Sequence, residues 1–305
     1  MENFINIITY LLIGIFLKQI EKIPREFSNI LNIFVIYVSL PALILLKIPK
    51  LVFSQELIFT AVLPWIMVII SAILVIISSK ILCWHKSLTG CLLLMIPLGN
   101  TSFLGIPMVR AFFGEEATAY AIIYDQLGSF LALSTYGAII LAVYGTSEDA
   151  KLSLKEIIIR ITSFPPFIAL IIASLLWGCK IPQVIVGLLS SLGSTLVPLV
   201  MVAVGFQLGL KLEEGGLTPL TVGLLIKLCI APSIALLIAK FLHLKGQATQ
   251  VAVFEAGMPP MVSAGALAIL AGLSPRLTAA LVGFGIFISF ITLPVLQKVI
   301  HILLS

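Results

Sequence analysis

Apolar residues in this chain run in long blocks rather than alternating or recurring on one face. Ten blocks stand out, at 3–20, 27–46, 57–82, 87–112, 117–144, 157–178, 183–210, 218–240, 247–272 and 277–299. Most reach the ~20 residues that a helix needs to cross hydrocarbon. They are read as helices, because lipid satisfies no backbone N–H or C=O and a spanning barrel needs alternating polar positions. The joins are short. The most hydrophilic, GTSEDAKLSLKE at 145–156, lies near the midpoint, with five blocks before it and five after. The expected fold class is an all-α polytopic membrane protein with ten transmembrane helices, spans 1 to 10.

Composition agrees with this pattern. Of 305 residues, 60% are apolar and 10% charged, against about 25% charged in a soluble domain. The mean hydropathy is +1.22. Too few polar residues exist to cover a globule in water. No GxxxxGK[ST] loop occurs, so transport driven by ATP hydrolysis within this chain is not expected. GxGD, HExxH and GxSxG are absent as well, and no enzyme chemistry is read from the chain.

The net charge of +5 is read as topology signalling and headgroup contact, not nucleic-acid binding, because Lys and Arg sit at the ends of apolar blocks. The loops after odd-numbered spans hold ten of them and the other side seven, with Lys227 inside span 8. That bias, Lys151 and Lys211 on one side and Lys180 on the other included, puts the odd loops in the cytoplasm of a cell-membrane protein and both termini outside. The Met-Glu-Asn start lacks a basic n-region, so span 1 is expected to be retained. Cys83, Cys91, Cys179 and Cys229 have no CxxC spacing and are read as small core-packing residues. The histidines, at span ends, are too scattered for a metal site.

Five spans per half force the second half into the membrane with opposite orientation, the arrangement of many secondary transporters. The expected repeats are 1–150 and 151–305. An offset of 158 puts Gly99 on Gly257, Pro107 on Gly265 and Gly114 on Gly272. Helix breakers cluster in the fourth span of each half. Span 4 holds Pro97, Gly99, Gly105 and Pro107 around Asn100 and Thr101, and span 9 holds Gly257, Pro259, Pro260 and Gly265. Proline removes a donor and clashes with the preceding turn, and glycine adds freedom, so both spans are expected to break. The backbone groups freed there must face protein or a wet cavity. Pro259 and Pro260 suit the first positions of the second half-helix. Two half-helix N-termini near one point make a site for a carboxylate. Candidate substrate residues are Gly99, Asn100, Thr101, Gly257, Met258, Pro259 and Pro260, with Gln126 in span 5 and Gln207 in span 7.

Here the chain resembles the auxin efflux carrier family, whose bacterial members are described as malonate, malate or other small-acid permeases. The resemblance lies in GNTSFLGIPMVRAFFGEEATAYAI (99–122), LPALIL (40–45) and MPP with small residues after it (258–267). It implies a fold similar to bile-acid symporters and sodium–proton antiporters, with crossed broken helices in spans 4 and 9. It also implies a scaffold of spans 1, 2, 6 and 7 that can form a homodimer, a mobile transport domain of spans 3–5 and 8–10, and substrate at the crossover, with the motif asparagine at Asn100. The chain departs from the plant carriers by lacking their long central loop, and Pro97 does not adjoin the motif asparagine.

Charges inside spans usually mark function. Asp125 and Glu255 are candidate proton carriers or cation ligands. Lys227 neutralises one of them, balances an anionic substrate, or forms a static ion pair. Arg110 is a site candidate or an interfacial snorkel. The expected partners are a small organic anion, membrane lipid and a second copy of the chain, with no cofactor beyond a coupling H+ or Na+. The alternatives are a cation-coupled symporter or antiporter of bile-acid type and a membrane sensor that does not transport.

Overall fold

The computed structural model describes residues 2–145, 153–179, 181–208 and 217–304. Lys151, Lys180 and Lys211, and residues 146–152 of the midpoint connection, lie outside them. Among the described residues the chain is all helical, with no strand. Its helices are α1 (Glu2–Leu17), α2 (Phe27–Lys50), α3 (Gln55–Ile81), α4 (Lys86–Met95), α5 (Thr101–Phe113), α6 (Thr118–Tyr144), α7 (Leu154–Thr162), α8 (Pro165–Leu175), α9 (Gln183–Gln207), α10 (Leu217–Phe241), α11 (Gln247–Ala256), α12 (Val262–Leu270) and α13 (Pro275–Leu303).

Six of these, α2, α3, α6, α9, α10 and α13, are long and apolar enough to cross a membrane. The pair α7 and α8 is long and apolar enough only when taken together, and it bends by 61° at the break. The apolar run at 157–178 therefore holds two helices. Phe164 is extended and Pro165 opens α8, because a residue before proline is pushed out of the helical region. The start of α7 carries a capping box that the apolar pattern does not show. The N–H of Ser153 donates to Glu156 Oε2 at 2.6 Å, and the N–H of Glu156 donates to Ser153 Oγ at 3.3 Å. Of the cysteines only Cys91 is buried; Cys83, Cys179 and Cys229 are exposed, which corrects their reading as core residues.

The chain divides into two compact units. Unit 1 comprises 1–54, 102–122 and 160–208. Here α1 packs along α9, and small residues permit it. A Cβ on Gly14 would collide with the Val202 carbonyl oxygen, and one on Gly205 with the Leu11 carbonyl oxygen. The second half of α2 packs against α8 and the start of α9, where the Ser39 and Thr195 hydroxyls bond at 2.7 Å. At the end of α2, Lys47 is almost fully buried and pairs with Glu116 at 3.0 Å and Glu115 at 3.4 Å.

Unit 2 comprises 55–101, 123–159 and 209–305. Its core is apolar, with Leu92, Leu94, Met95, Ile96, Leu273 and Leu281 at or near zero exposure. In it α3 packs on α11 and on the middle of α6. Gly128 of α6 admits the Pro64 ring, and the Trp65 indole N–H donates to the Leu127 carbonyl at 2.9 Å.

Candidate functional site

Both predicted breaks are present. Helix α4 ends at Met95 and α5 begins at Thr101, while α11 ends at Ala256 and α12 begins at Val262. Short segments between them pair with each other. The N–H of Asn100 donates to the Pro259 carbonyl at 2.8 Å, and the N–H of Met261 donates to the Leu98 carbonyl at 3.1 Å. They form a single antiparallel bridge centred on Gly99 and Pro260. Groups that proline and glycine free from one helix are therefore satisfied by the other break, as a buried backbone requires.

The prolines of span 9 do not open the second half-helix. Helix α12 starts after Met261, which offers no side-chain cap. Pro259 and Pro260 lie in the bridge instead, where Pro259 supplies a carbonyl and neither need donate. This corrects the expectation that they take the first helical positions. Met258 and Gly257 close α11, with their N–H groups donating to the carbonyls of Glu255 and Phe254.

Beside the bridge, wide π-helical turns carry polar side chains. Such turns occur at Thr101–Gly105, Tyr124–Phe130 and Ile226–Ile230, and π-bulges recur at functional sites. Thr101, Asp125, Gln126 and Lys227 stand on them. Asp125 accepts from the Thr101 hydroxyl at 2.6 Å through Oδ1 and from Gln126 Nε2 at 2.6 Å through Oδ2. Asp125 and Gln126 are fully buried, and Gln126 Oε1 has no hydrogen-bond partner.

Two further groups are left without partners. Asn100 Nδ2 is buried and makes no hydrogen bond, and neither carboxylate oxygen of Glu255 makes one. Glu255 is fully buried in the last turn of α11. Lys227 is 4% exposed and lies against the bridge, its Nζ 3.2 Å from where a Cβ on Gly99 would stand. Lys227 and Glu255 make no ion pair within 4.0 Å among the described residues. Lys227 and Glu255 instead line one cavity with Gly99, Thr101 and Tyr124. Its volume of about 10 Å³ is room for about one water.

The structure thus gathers Gly99, Asn100, Thr101, Asp125, Gln126, Lys227, Glu255 and residues 257–260 in unit 2. Gln207 ends α9 in unit 1 and is half-buried. Arg110, also in unit 1, pairs through Nε with Glu115. Ser71 and Ser129 line the same small cavity. Nothing in the pattern separates them from the serines common in transmembrane helices. Among the described residues no three His, Cys, Asp or Glu side chains converge as metal ligands.

Long apolar helices and a buried polar centre at two helix breaks define a multi-pass membrane protein. The family described as "Membrane transport protein" matches residues 1–297. The chain belongs to that family, as the span 4 motif led us to expect. It is similar to an uncharacterized transporter of Methanocaldococcus jannaschii, 30% identical over 290 residues and 92% of each chain. It is also similar to one of Methanothermobacter thermautotrophicus, 27% identical over 304 residues and 98% of each chain.

Proposed function

We propose that this membrane transport protein is a secondary carrier of small organic anions. Its substrates are mono- or dicarboxylates such as malonate and malate, or auxin-like acids. Substrate binds where spans 4 and 9 cross and moves by elevator-type alternating access. The ten spans form two inverted repeats, 1–150 and 151–305, in the cell membrane with both termini outside. Spans 1, 2, 6 and 7 form a scaffold that dimerises, and spans 3–5 and 8–10 carry the site. Chain contacts agree in grouping spans 1, 2, 6 and 7 apart from spans 3 and 8–10, and differ in placing 102–122, the second half of span 4 and the start of span 5, with the first group.

One observation carries the reading. The bridge between Leu98–Asn100 and Pro259–Met261 uses up the backbone groups of the breaks, yet leaves the Asn100 amide nitrogen buried and unpartnered. An unmet donor there costs about 1–3 kcal/mol, which a carboxylate oxygen relieves. Thr101 adds a hydroxyl, and Lys227 supplies positive charge for an anion. The cavity of about 10 Å³ is too small for an acid, so binding requires the crossover to open. Export of a monoanion gains about 2.3 kcal/mol per 100 mV of inside-negative potential.

Glu255 favours cation coupling as a second reading. A buried carboxylate without a hydrogen bond is costly unless a proton or cation joins it. Glu255, with Asp125, is the coupling group for H+ or Na+ in that case. The test is uptake and charge movement in proteoliposomes with malonate, malate, succinate, lactate and indole acetate, beside Asn100→Ala and protein-free liposomes. Flux for one acid, lost in the variant, is expected. Saturable binding with no flux under any pH, sodium or voltage gradient turns the assignment to a sensor.

A further inference from the structure

Unit 1 contains a larger cavity, of about 190 Å³, that the crossover does not use. Its apolar lining includes Ile7, Pro107, Val197 and Pro198. Its polar lining is Asn6, Tyr10, Arg110 and Ser194. The side chains of Asn6 and Tyr10 make no hydrogen bond among the described residues. Arg110 pairs with Glu115 through Nε. Its guanidinium carries two further amino groups, in the fork geometry that matches a carboxylate. Asn6, Tyr10 and Arg110 come from α1 and α5, which pack against each other.

We propose that this cavity is a second binding site, for a small monocarboxylate with a compact apolar body. The carboxylate meets the Arg110 amino groups, the Tyr10 hydroxyl and the Asn6 amide, and the body rests on Ile7, Val197 and Pro198. A volume below the ~300–1,000 Å³ of drug-sized pockets selects a short acid over a long acyl chain. A monoanion fits better than a dianion, because Arg110 is the one charged side chain in the lining and a second charge would go unpaired. Glu115 is an internal competitor. It holds Arg110 in the empty site, and ligand and Glu115 share one guanidinium. Glu115 also pairs with Lys47 at 3.4 Å, and Lys47 has Glu116 at 3.0 Å as a second partner, so neutralising Glu115 leaves the buried ammonium one carboxylate.

The test is equilibrium binding of radiolabelled benzoate to the full chain in lipid nanodiscs, against empty nanodiscs. A saturable component that survives Asn100→Ala is expected. Arg110→Gln weakens it at least tenfold, and Glu115→Gln strengthens it several-fold. An Arg110 whose role is structural gives the opposite sign for Glu115→Gln, since breaking the ion pair then harms the site. Should Arg110→Gln not fold, Tyr10→Phe and Asn6→Leu each weaken binding several-fold. Short acids displace the label and palmitate does not. The proposal is overturned if all saturable binding disappears with Asn100→Ala, if the Arg110, Tyr10 and Asn6 variants bind like the parent, or if palmitate alone competes. Arg110-dependent binding without flux leaves this site standing and removes the carrier reading.

Discussion

The backbone N–H of Asn100 donates to the carbonyl of Pro259 at 2.8 Å, tying the break in span 4 to the break in span 9. The contact is made by main chain, so the Asn100 side chain is left for other work, and its amide nitrogen has no partner. Asn100→Ala therefore keeps the bridge and removes an unmet donor. The thermal midpoint should stay within a few degrees of the parent. Substrate-dependent flux should fall at least tenfold. Flux equal to the parent would remove the crossover as the substrate site.

Two glycines, Gly99 in the bridge and Gly285 packed against it, should respond differently to a methyl group. A Cβ on Gly285 would stand 2.7 Å from the Pro260 ring, with Leu224 and Pro259 close behind. A proline ring in the bridge cannot give way, so Gly285→Ala overpacks and costs about 1–3 kcal/mol, read as a lower unfolding temperature. At Gly99 the nearest atom is the mobile end of Lys227, at 3.2 Å. Gly99→Ala should spare stability but displace the ammonium, weakening anion binding. Equal loss of stability in both would show that Lys227 is held rigidly.

Thr101→Val tests the tie between span 4 and span 5. The Thr101 hydroxyl donates to Asp125 Oδ1 at 2.6 Å, and valine keeps the shape without the donor. Hydrogen bonds to a charged group contribute about 1.5–3 kcal/mol, so a loss of that size is expected in denaturant unfolding. Asp125→Asn should suffer less, because its amide can still accept from Thr101 or Gln126. If Thr101→Val is as stable as the parent, the bond does not hold the start of α5.

How much of this was legible in the sequence depends on whether the cause is local. Pro97, Gly99, Pro259 and Pro260 announce both breaks, and Asp125, Lys227 and Glu255 stand out as charges in apolar runs. The bridge itself is invisible, because it joins the two halves of the chain and its side chains take no part. For that reason Pro259 and Pro260 were expected to begin a helix, which is their commonest local use. The bend before Pro165 had a local signal, but the apolar run continued across it. The π-helical turns under Asp125 and Lys227 leave no mark in hydropathy. The cavity beside Arg110 needs α1, α5 and α9 together, which no spacing encodes.

Glu255→Gln should raise stability while altering coupling. Glu255 is fully buried and neither of its oxygens is hydrogen-bonded. A charge there has no contact partner, since Lys227 lies beyond 4.0 Å. The amide removes the charge and keeps the volume, so folding should gain about 1–3 kcal/mol, the scale of an unsatisfied buried group. Evolution tolerates such a cost where the group has a task. Transport by the variant should lose its dependence on an imposed pH or sodium gradient and keep its dependence on voltage. A variant that is less stable than the parent would mean that Glu255 is satisfied by a cation in the resting protein. A stabilised variant with unchanged gradient dependence would leave Asp125 as the remaining candidate for coupling.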